Sequence, residues 1–232
     1  HYVARKIFIE TQVKEAIADG CQQLVVIGGG LDTLAMRTHV TNPSLSVVEL
    51  DHPATQAIKR HALKNLVQEN QNIHFVPVDL TQRTISEALA ETDFNPSSPT
   101  VFVIEGVLMY LTEEDVRETL AHCVSLSAQG SRVILTFLEK NKSGTAAFQG
   151  SRNHLVGAWL KKESEPFIWG LSPNSAFEFF ASTRNTVRTI SQWDQLTQAI
   201  GSLPHWIHPP AQGEFIAVLE PMSSQKNGNT PP

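Results

Sequence analysis

The strongest constraint on the fold of this chain is an alternation of short apolar runs with longer segments that have helical spacing. The predicted strands cover residues 24–27, 45–50, 73–78, 100–104, 132–138, 186–190 and 215–219. Short runs that are apolar throughout are typical of strands buried on both faces. The pattern therefore predicts a doubly wound, mostly parallel α/β sheet of seven strands, Rossmann-like, with right-handed crossovers and helices on both faces.

The segments between these runs predict the helices. They cover residues 3–18, 31–39 (a short helix or turn), 53–69, 84–92, a helix that starts after Thr112, and 192–200. Thr112 is followed by three acidic residues, which suit an N-cap and the positive first turn of a helix. The first helix has apolar residues at helical spacing, and we expect these to face the core: Val3, Ile7, Val13, Ala16 and Ile17.

The length of 232 residues favours one domain, and we place it at residues 1–222. Residues 140–186 interrupt the alternation and are rich in aromatic residues, so we expect a helical insertion that covers a site or binds a substrate. Residues 223–232 are polar and end in two prolines, which predicts a disordered tail. Because the chain starts at His1 rather than Met, we expect further residues before it.

Composition and spacing exclude several classes of protein. A net charge of −5 argues against a nucleic-acid partner, because such proteins concentrate Lys and Arg. Cys21 and Cys123 are interpreted as free thiols of a reducing compartment, so we expect a cytoplasmic protein. The apolar runs are too short to cross a membrane, and the histidines lack the spacing of metal ligands. No metal is expected.

The ends of the predicted strands carry the residues that indicate a function. Ligands of open parallel sheets bind beyond the carboxyl ends of the strands. The first strand ends in Gly28-Gly29-Gly30, a loop that lets a ligand touch the backbone. Asp51 ends the second strand, about twenty residues after this loop, where an acid typically binds a ribose diol. Asp79 and Glu105 follow the next two strands.

This ring of carboxylates favours a cationic sulfonium cofactor over a dianionic pyrophosphate. In addition, Thr33 occupies the position of the third glycine of the dinucleotide fingerprint. The residues thus favour an S-adenosyl-L-methionine-dependent methyltransferase. Two alternatives stay open, an NAD(P)-dependent Rossmann oxidoreductase and a catalytically inactive binding protein with the same fold.

Four segments sharpen this interpretation when taken in order. They are Tyr2-Val3-Ala4-Arg5, Val25–Thr33 (VVIGGGLDT), Glu49–Pro53 (ELDHP) and Ile104–Leu111 (IEGVLMYL). Together they resemble the leucine carboxyl methyltransferase family, and in particular its bacterial members. The resemblance runs from about Tyr2 to Leu138 and returns more weakly in Glu165–Leu171 (EPFIWGL).

The resemblance implies roles for the residues that match. Arg5 would pair with the carboxylate of the cofactor's methionine part, Gly28 and its neighbours Gly29 and Gly30 would pass beneath it, and Glu105 would face its amino group. The chain departs from the family in having glycine at position 29, where alanine is usual, and Leu34 where arginine is often found.

Other matched residues would bind the nucleoside part of the cofactor. The resemblance implies that Asp51 holds the ribose hydroxyls, that Asp79 accepts from the adenine amino group, and that the Leu80 backbone contacts the ring. Tyr110 would lie near the transferred methyl group, as the candidate catalytic residue with a positioning role.

The expected acceptor is a carboxylate of a small molecule or peptide. Such a group is ionised at neutral pH and needs no general base, which agrees with the absence of an obvious base in the sequence. Simpler interpretations remain for three residues: Asp51 as the N-cap of the next helix, Arg5 as a solvated helix charge, and Tyr110 as a packing residue.

Overall fold

The computed structural model describes residues 2–64, 72–140, 146, 166–192 and 213–222. Its strands are β1 (Gln23–Ile27), β2 (Ser46–Asp51), β3 (Ile73–Pro77), β4 (Thr100–Ile104), β5 (Arg132–Leu138), β6 (Asn185–Ser191) and β7 (Glu214–Pro221). Its helices are α1 (Tyr2–Ala18), α2 (Leu34–Thr41), α3 (Pro53–Leu63), α4 (Ile85–Leu89), α5 (Glu113–Ser125) and α6 (Pro173–Ser182), with a 3₁₀ turn at Leu108–Tyr110.

The seven strands form one sheet in the order β3-β2-β1-β4-β5-β7-β6. The first five strands in this order run parallel, whereas β7 is antiparallel to both β5 and β6. The chain order reverses between β1 and β4, so the carboxyl ends of these strands open the crevice in which ligands of such sheets bind. The predicted doubly wound, mostly parallel sheet of seven strands is confirmed.

The helices cover both faces of the sheet. Residues of α1, α2 and α3 share one buried apolar cluster with alternate residues of the strands. Residues of α4, α5 and α6 share the cluster on the opposite face. Because side chains alternate along a strand, Val26 belongs to the first cluster and Val25 to the second. Both faces of the sheet are therefore buried, which explains why the parallel strands are largely apolar.

Local signals define several helix starts. The Thr112 side chain accepts from the Asp115 backbone N–H, and the Asp115 carboxylate accepts from the Thr112 N–H, so the predicted N-cap forms a full capping box. Thr84 and Glu87 form the same arrangement at α4.

The predicted inward face of α1 is wrong in part. Val3 and Ile7 are 57% and 40% exposed, whereas Ala4 and Phe8 are buried together with the correctly predicted Val13 and Ala16. Ile9 is buried as well, and Val3 and Ile7 lie on the side of the helix away from Phe8, Ile9 and Ala16. The stripe with Val3 and Ile7 turns towards α2.

Several predicted segments lie outside the described residues: the end of the helix at 53–69, the helix at 192–200, the tail at 223–232, and most of the insertion at 140–186. The described part of the insertion contains a segment at 166–172 and α6. Within the described ranges, no helix has both the length and the apolar character needed to cross a membrane.

Candidate cofactor-binding site

The glycine loop leaves β1 with its backbone bare. Gly28 and Gly30 have φ of 69° and 54°, a left-handed conformation that favours glycine. A Cβ on Gly28 would also collide with Cγ2 of Val107, which follows β4. The Gly28 N–H donates to Leu50 O at 2.8 Å and so fixes the loop to β2. The loop therefore presents backbone, rather than side chains, at the carboxyl edge of the sheet.

Asp51 binds this loop directly. Its Oδ2 accepts from the Gly30 N–H at 2.5 Å and its Oδ1 accepts from the His52 N–H at 2.6 Å. The N-cap of α3 is His52, whose Nδ1 accepts from the Ala54 N–H. The alternative that Asp51 caps the helix is therefore wrong, because the carboxylate turns back towards the glycine loop.

Arg5 lies between two carboxylates at the same edge. Its Nε donates to Glu105 Oε1 at 2.7 Å, and its Nη1 donates to both oxygens of Glu214 at 2.7 and 2.9 Å. The Arg5 side chain is only 12% exposed, so it is not the solvated helix charge of the simpler interpretation. Burial raises the pKa of Glu214, and the Arg5 guanidinium opposes this rise.

Lys6 extends the cluster to the glycine loop. Its Nζ donates to Glu105 Oε2 at 2.8 Å and also to Asp32 Oδ2. Asp32 Oδ1 accepts from the Leu34 N–H at 2.7 Å, so the carboxylate is held from both sides. Burial disfavours the charged form of Asp32, but the hydrogen bond from Lys6 lowers its pKa overall.

We call Arg5, Lys6, Asp32, Glu105 and Glu214 the charge cluster. In the cluster two cations face three carboxylates, and Arg37 Nη1 adds a further cation 3.5 Å from Asp32 Oδ1. Of its members, the sequence interpretation assigned roles only to Arg5 and Glu105. For Lys6 the available signal was its position beside Arg5, whereas no signal in the sequence placed Glu214 at this edge.

Asp79 and Leu80 lie on the loop that follows β3. The Asp79 carboxylate accepts from the N–H and hydroxyl of Thr81, at 3.0 and 2.7 Å, and from Nε2 of Gln82 at 2.7 Å. These hydrogen bonds lower the pKa of Asp79. Leu80 is 40% exposed. Asp79 is thus ionised and held by its own loop, and its role towards adenine stays a prediction.

Tyr110 ends the 3₁₀ turn after β4 and is 37% exposed. Its ring lies against Phe167, with centroids 5.6 Å apart. The backbone N–H groups of Ile168 and Trp169 both donate to Met109 O, at 2.7 and 3.2 Å. Part of the predicted insertion therefore packs beside Tyr110, and the placement of this residue near a methyl acceptor stays a prediction.

An open cleft of about 350 Å³ lies between α1 and the start of α2. Its lining residues combine apolar and charged side chains: Val3, Lys6, Ile7, Glu10, Leu31, Asp32, Thr33 and Arg37. Among the described residues, no group of three or more His, Cys, Asp and Glu side chains is arranged to hold a metal ion.

Two solved structures share this architecture at low sequence identity. The fold is similar to that of a DUF574 family protein from Streptomyces avermitilis, with a TM-score of 0.67, 18% identity, and coverage of 95% of this chain and 84% of that one. It is also similar to the mitomycin 7-O-methyltransferase MmcR, with a TM-score of 0.55, 16% identity, and coverage of 89% and 52%. The chain has the class I methyltransferase fold.

The sequence comparisons identify the family. The model of the family described as leucine carboxyl methyltransferase matches residues 1–124, and the chain belongs to this family. It is 30% identical over 156 residues to the "Putative S-adenosyl-L-methionine-dependent methyltransferase YktD" of Bacillus subtilis. The matched region covers 66% of this chain and 51% of the relative. A relative of the same description from Mycolicibacterium smegmatis is 33% identical over 171 residues, 73% of this chain and 53% of its own length. The chain spans about half the length of these curated relatives.

Proposed function

We propose that this chain is an S-adenosyl-L-methionine-dependent O-methyltransferase that binds its cofactor at the carboxyl edge of the sheet. The observation that carries the proposal is the glycine loop, whose backbone is fixed by Asp51 next to the charge cluster. Membership of the leucine carboxyl methyltransferase family supports the same assignment. Two curated relatives have names that describe S-adenosyl-L-methionine-dependent methyltransferases.

The residues fit this cofactor in three respects. The loop is open at Gly30, where a built Cβ would meet nothing within 4 Å, so a ligand could approach the backbone there. Asp51 accepts one N–H on each oxygen, and a carboxylate has about four lone-pair sites, so acceptor capacity is left for ribose hydroxyls. The carboxylates at this edge would favour a ligand that carries a sulfonium and an ammonium group over a dianionic ligand.

The methionine end of the cofactor would lie at the charge cluster. Arg5 would pair with its carboxylate, a group for which a guanidinium offers five N–H donors in a fixed plane. Glu214, the more buried partner of Arg5, would hold that plane in position. Glu105 would attract the ammonium group, and Lys6 would keep the glycine loop and β4 together through Asp32 and Glu105.

The nucleoside end would lie beyond β2 and β3. Asp51 would bind the ribose hydroxyls, and Asp79 would accept from the adenine amino group beside the Leu80 backbone. Asp79 is suited to accept because its carboxylate is already ionised and oriented by Thr81 and Gln82. When bound, the cofactor supplies an electrophilic methyl group. The chain's own residues then orient it and exclude water from the reacting atoms.

For the acceptor we propose a carboxylate of a small molecule or peptide. A carboxylate is ionised at neutral pH, so the reaction needs positioning rather than a general base. Tyr110 and Phe167 would form an aromatic wall beside the end of β4 and exclude water from the acceptor. The insertion at 140–186 would complete this side of the site.

Calorimetric titration with S-adenosylhomocysteine and with NADH tests the cofactor assignment. We expect S-adenosylhomocysteine to bind and NADH not to bind, because a pyrophosphate would meet the carboxylates of Asp51 and Glu105. Tighter binding of NADH would instead support the oxidoreductase alternative. A screen of carboxylates with radiolabelled S-adenosyl-L-methionine then tests the acceptor class, and methyl transfer to hydroxyl acceptors alone would contradict it. Binding without transfer to any acceptor would support the inactive binding protein.

A further inference from the structure

A buried ion pair beneath the glycine loop has no part in the proposed contacts with the cofactor. Lys59 Nζ on α3 lies 2.6 Å from each carboxylate oxygen of Glu49 on β2, and the side chains are 3% and 1% exposed. Burying two charges costs several kcal/mol in desolvation, so such a pair is weak evidence for stability. Its position suggests another role.

The Glu49 carboxyl group lies directly against Gly29. A Cβ on Gly29 would lie 2.6 Å from Cδ, 2.8 Å from Oε2 and 2.9 Å from Cγ of Glu49. Gly28 and Gly30 have left-handed φ, whereas Gly29 does not. The backbone of Gly29 would therefore accept alanine, and the three atoms nearest to the added Cβ all belong to the Glu49 side chain.

Two acids of β2 support successive residues of the loop. Glu49 and Asp51 are two positions apart, so their side chains leave the same side of the strand. Asp51 accepts from the Gly30 N–H, and Glu49 packs against Gly29. Contacts at two consecutive residues, Gly29 and Gly30, thus fix the position of the glycine loop relative to β2.

Residues of α3 and β3 hold the Glu49 side chain in place. Lys59 binds both carboxylate oxygens, and its Nζ lies 6.0 Å from the centre of the Phe75 ring. Gln56, which is fully buried, donates to the backbone oxygen of Glu49 at 3.2 Å. With both oxygens bound to Lys59, the carboxylate cannot turn away from Gly29 without losing its buried counter-charge.

We propose that the Glu49–Lys59 pair holds Gly29, and with it the glycine loop, in the position that cofactor binding requires. The pair itself would not touch the cofactor. This inference rests on the proposed function, since it assumes that S-adenosyl-L-methionine binds over the loop.

The test measures how Gly29→Ala changes S-adenosylhomocysteine affinity in two backgrounds. In the parent chain the added methyl meets the fixed Glu49 carboxyl group, and we expect the dissociation constant to rise about tenfold or more, the scale of overpacking at a rigid contact. In the Glu49→Ala/Lys59→Met background the obstacle is gone and no buried charge is left unpaired. There, we expect Gly29→Ala to change the dissociation constant by less than about threefold.

Gly30→Ala is the matched control. A Cβ on Gly30 meets nothing within 4 Å, and its cost comes from the left-handed backbone. We therefore expect Gly30→Ala to weaken binding by the same factor in both backgrounds. A smaller loss of affinity for Gly29→Ala in the double-variant background, with the same loss for Gly30→Ala in both backgrounds, would show that the pair acts through Gly29. A general loss of stability would not produce this difference.

A third background keeps the test decisive if the double variant does not fold. Glu49→Asp retains the charge but withdraws the carboxylate by one methylene, and it should also reduce the Gly29→Ala penalty. Equal penalties for Gly29→Ala in the parent and in every folded background would overturn the inference. Absence of S-adenosylhomocysteine binding by the parent chain itself would instead refute the proposed function.

Discussion

Replacing Asp51 by asparagine probes the contact between β2 and the glycine loop. In the parent chain the two carboxylate oxygens accept separately, from the Gly30 N–H and from the His52 N–H. An asparagine of the same shape has one oxygen, so one of these N–H groups would face an amide NH₂ instead. The negative charge that would strengthen hydrogen bonds from ribose hydroxyls is lost as well.

The expected cost is that of one hydrogen bond to a charged group, about 1.5–3 kcal/mol. The S-adenosylhomocysteine dissociation constant should therefore rise by a factor of about 10 to 150. Calorimetry at neutral pH measures this change, and circular dichroism checks that the sheet is intact. Asp93→Asn is the control, because Asp93 is 71% exposed and lies before β4, at the opposite edge of the sheet. A folded Asp51→Asn variant with parental affinity would refute the assignment of Asp51 to the cofactor.

Three further predictions address the charge cluster, the buried ion pair and the cysteines. Arg5→Lys keeps the positive charge but loses the planar guanidinium, so S-adenosylhomocysteine should bind more weakly to the variant. Adenosine lacks the methionine carboxylate and should bind parent and variant equally. Equal loss of affinity for both ligands would contradict this role of Arg5. Burial raises the pKa of Glu49 to about 7 although Lys59 opposes the rise, so the pair is fully ionised only above this value. The folded chain therefore binds the extra proton between pH 4.5 and 7, and the free energy of unfolding should fall as pH rises through this range. In urea unfolding, the free energy of unfolding should fall by about 1.4 kcal/mol per pH unit at most in the parent chain, and by less in Glu49→Gln/Lys59→Met. The same pH dependence in parent and variant would contradict the titration of Glu49. Burial raises the pKa of Cys21 to about 11 and of Cys123 to about 12, so both thiols should react with a disulfide reagent only on unfolding, whereas rapid reaction of the native chain would show that they are accessible.

The strands were predictable from sequence because burial on both faces imposes an unbroken apolar run. The predicted run at 100–104 matches β4 in full, and the run at 132–138 matches β5. The α1 face was less predictable, because Val3 and Ile7 have the same spacing as Ala4 and Phe8 and only packing against the sheet separates the two stripes. Helical periodicity fixes which residues share a side, but not which side is covered.

The candidate site was partly predictable for a different physical reason. Parallel strands bring their carboxyl ends to one edge, so the glycine loop, Asp51 and Glu105 could be placed together from their positions alone. Glu214 could not, because β7 returns antiparallel and its first residue, rather than its last, reaches that edge. Glu49 was a missed signal, since an acid inside a buried apolar run requires a partner.

The ion pair between Arg5 and Glu214 joins residues 209 positions apart, on the first helix and the last strand described. Glu214 is the first residue of β7, so it reaches Arg5 only when β7 has paired with β5. During synthesis, a chain that has not yet produced β7 can already pair β1 with β2, while Arg5 has only one of its two acidic partners. Cofactor capture would therefore follow completion of the sheet, and binding of S-adenosylhomocysteine during refolding would mark the arrival of the last strand.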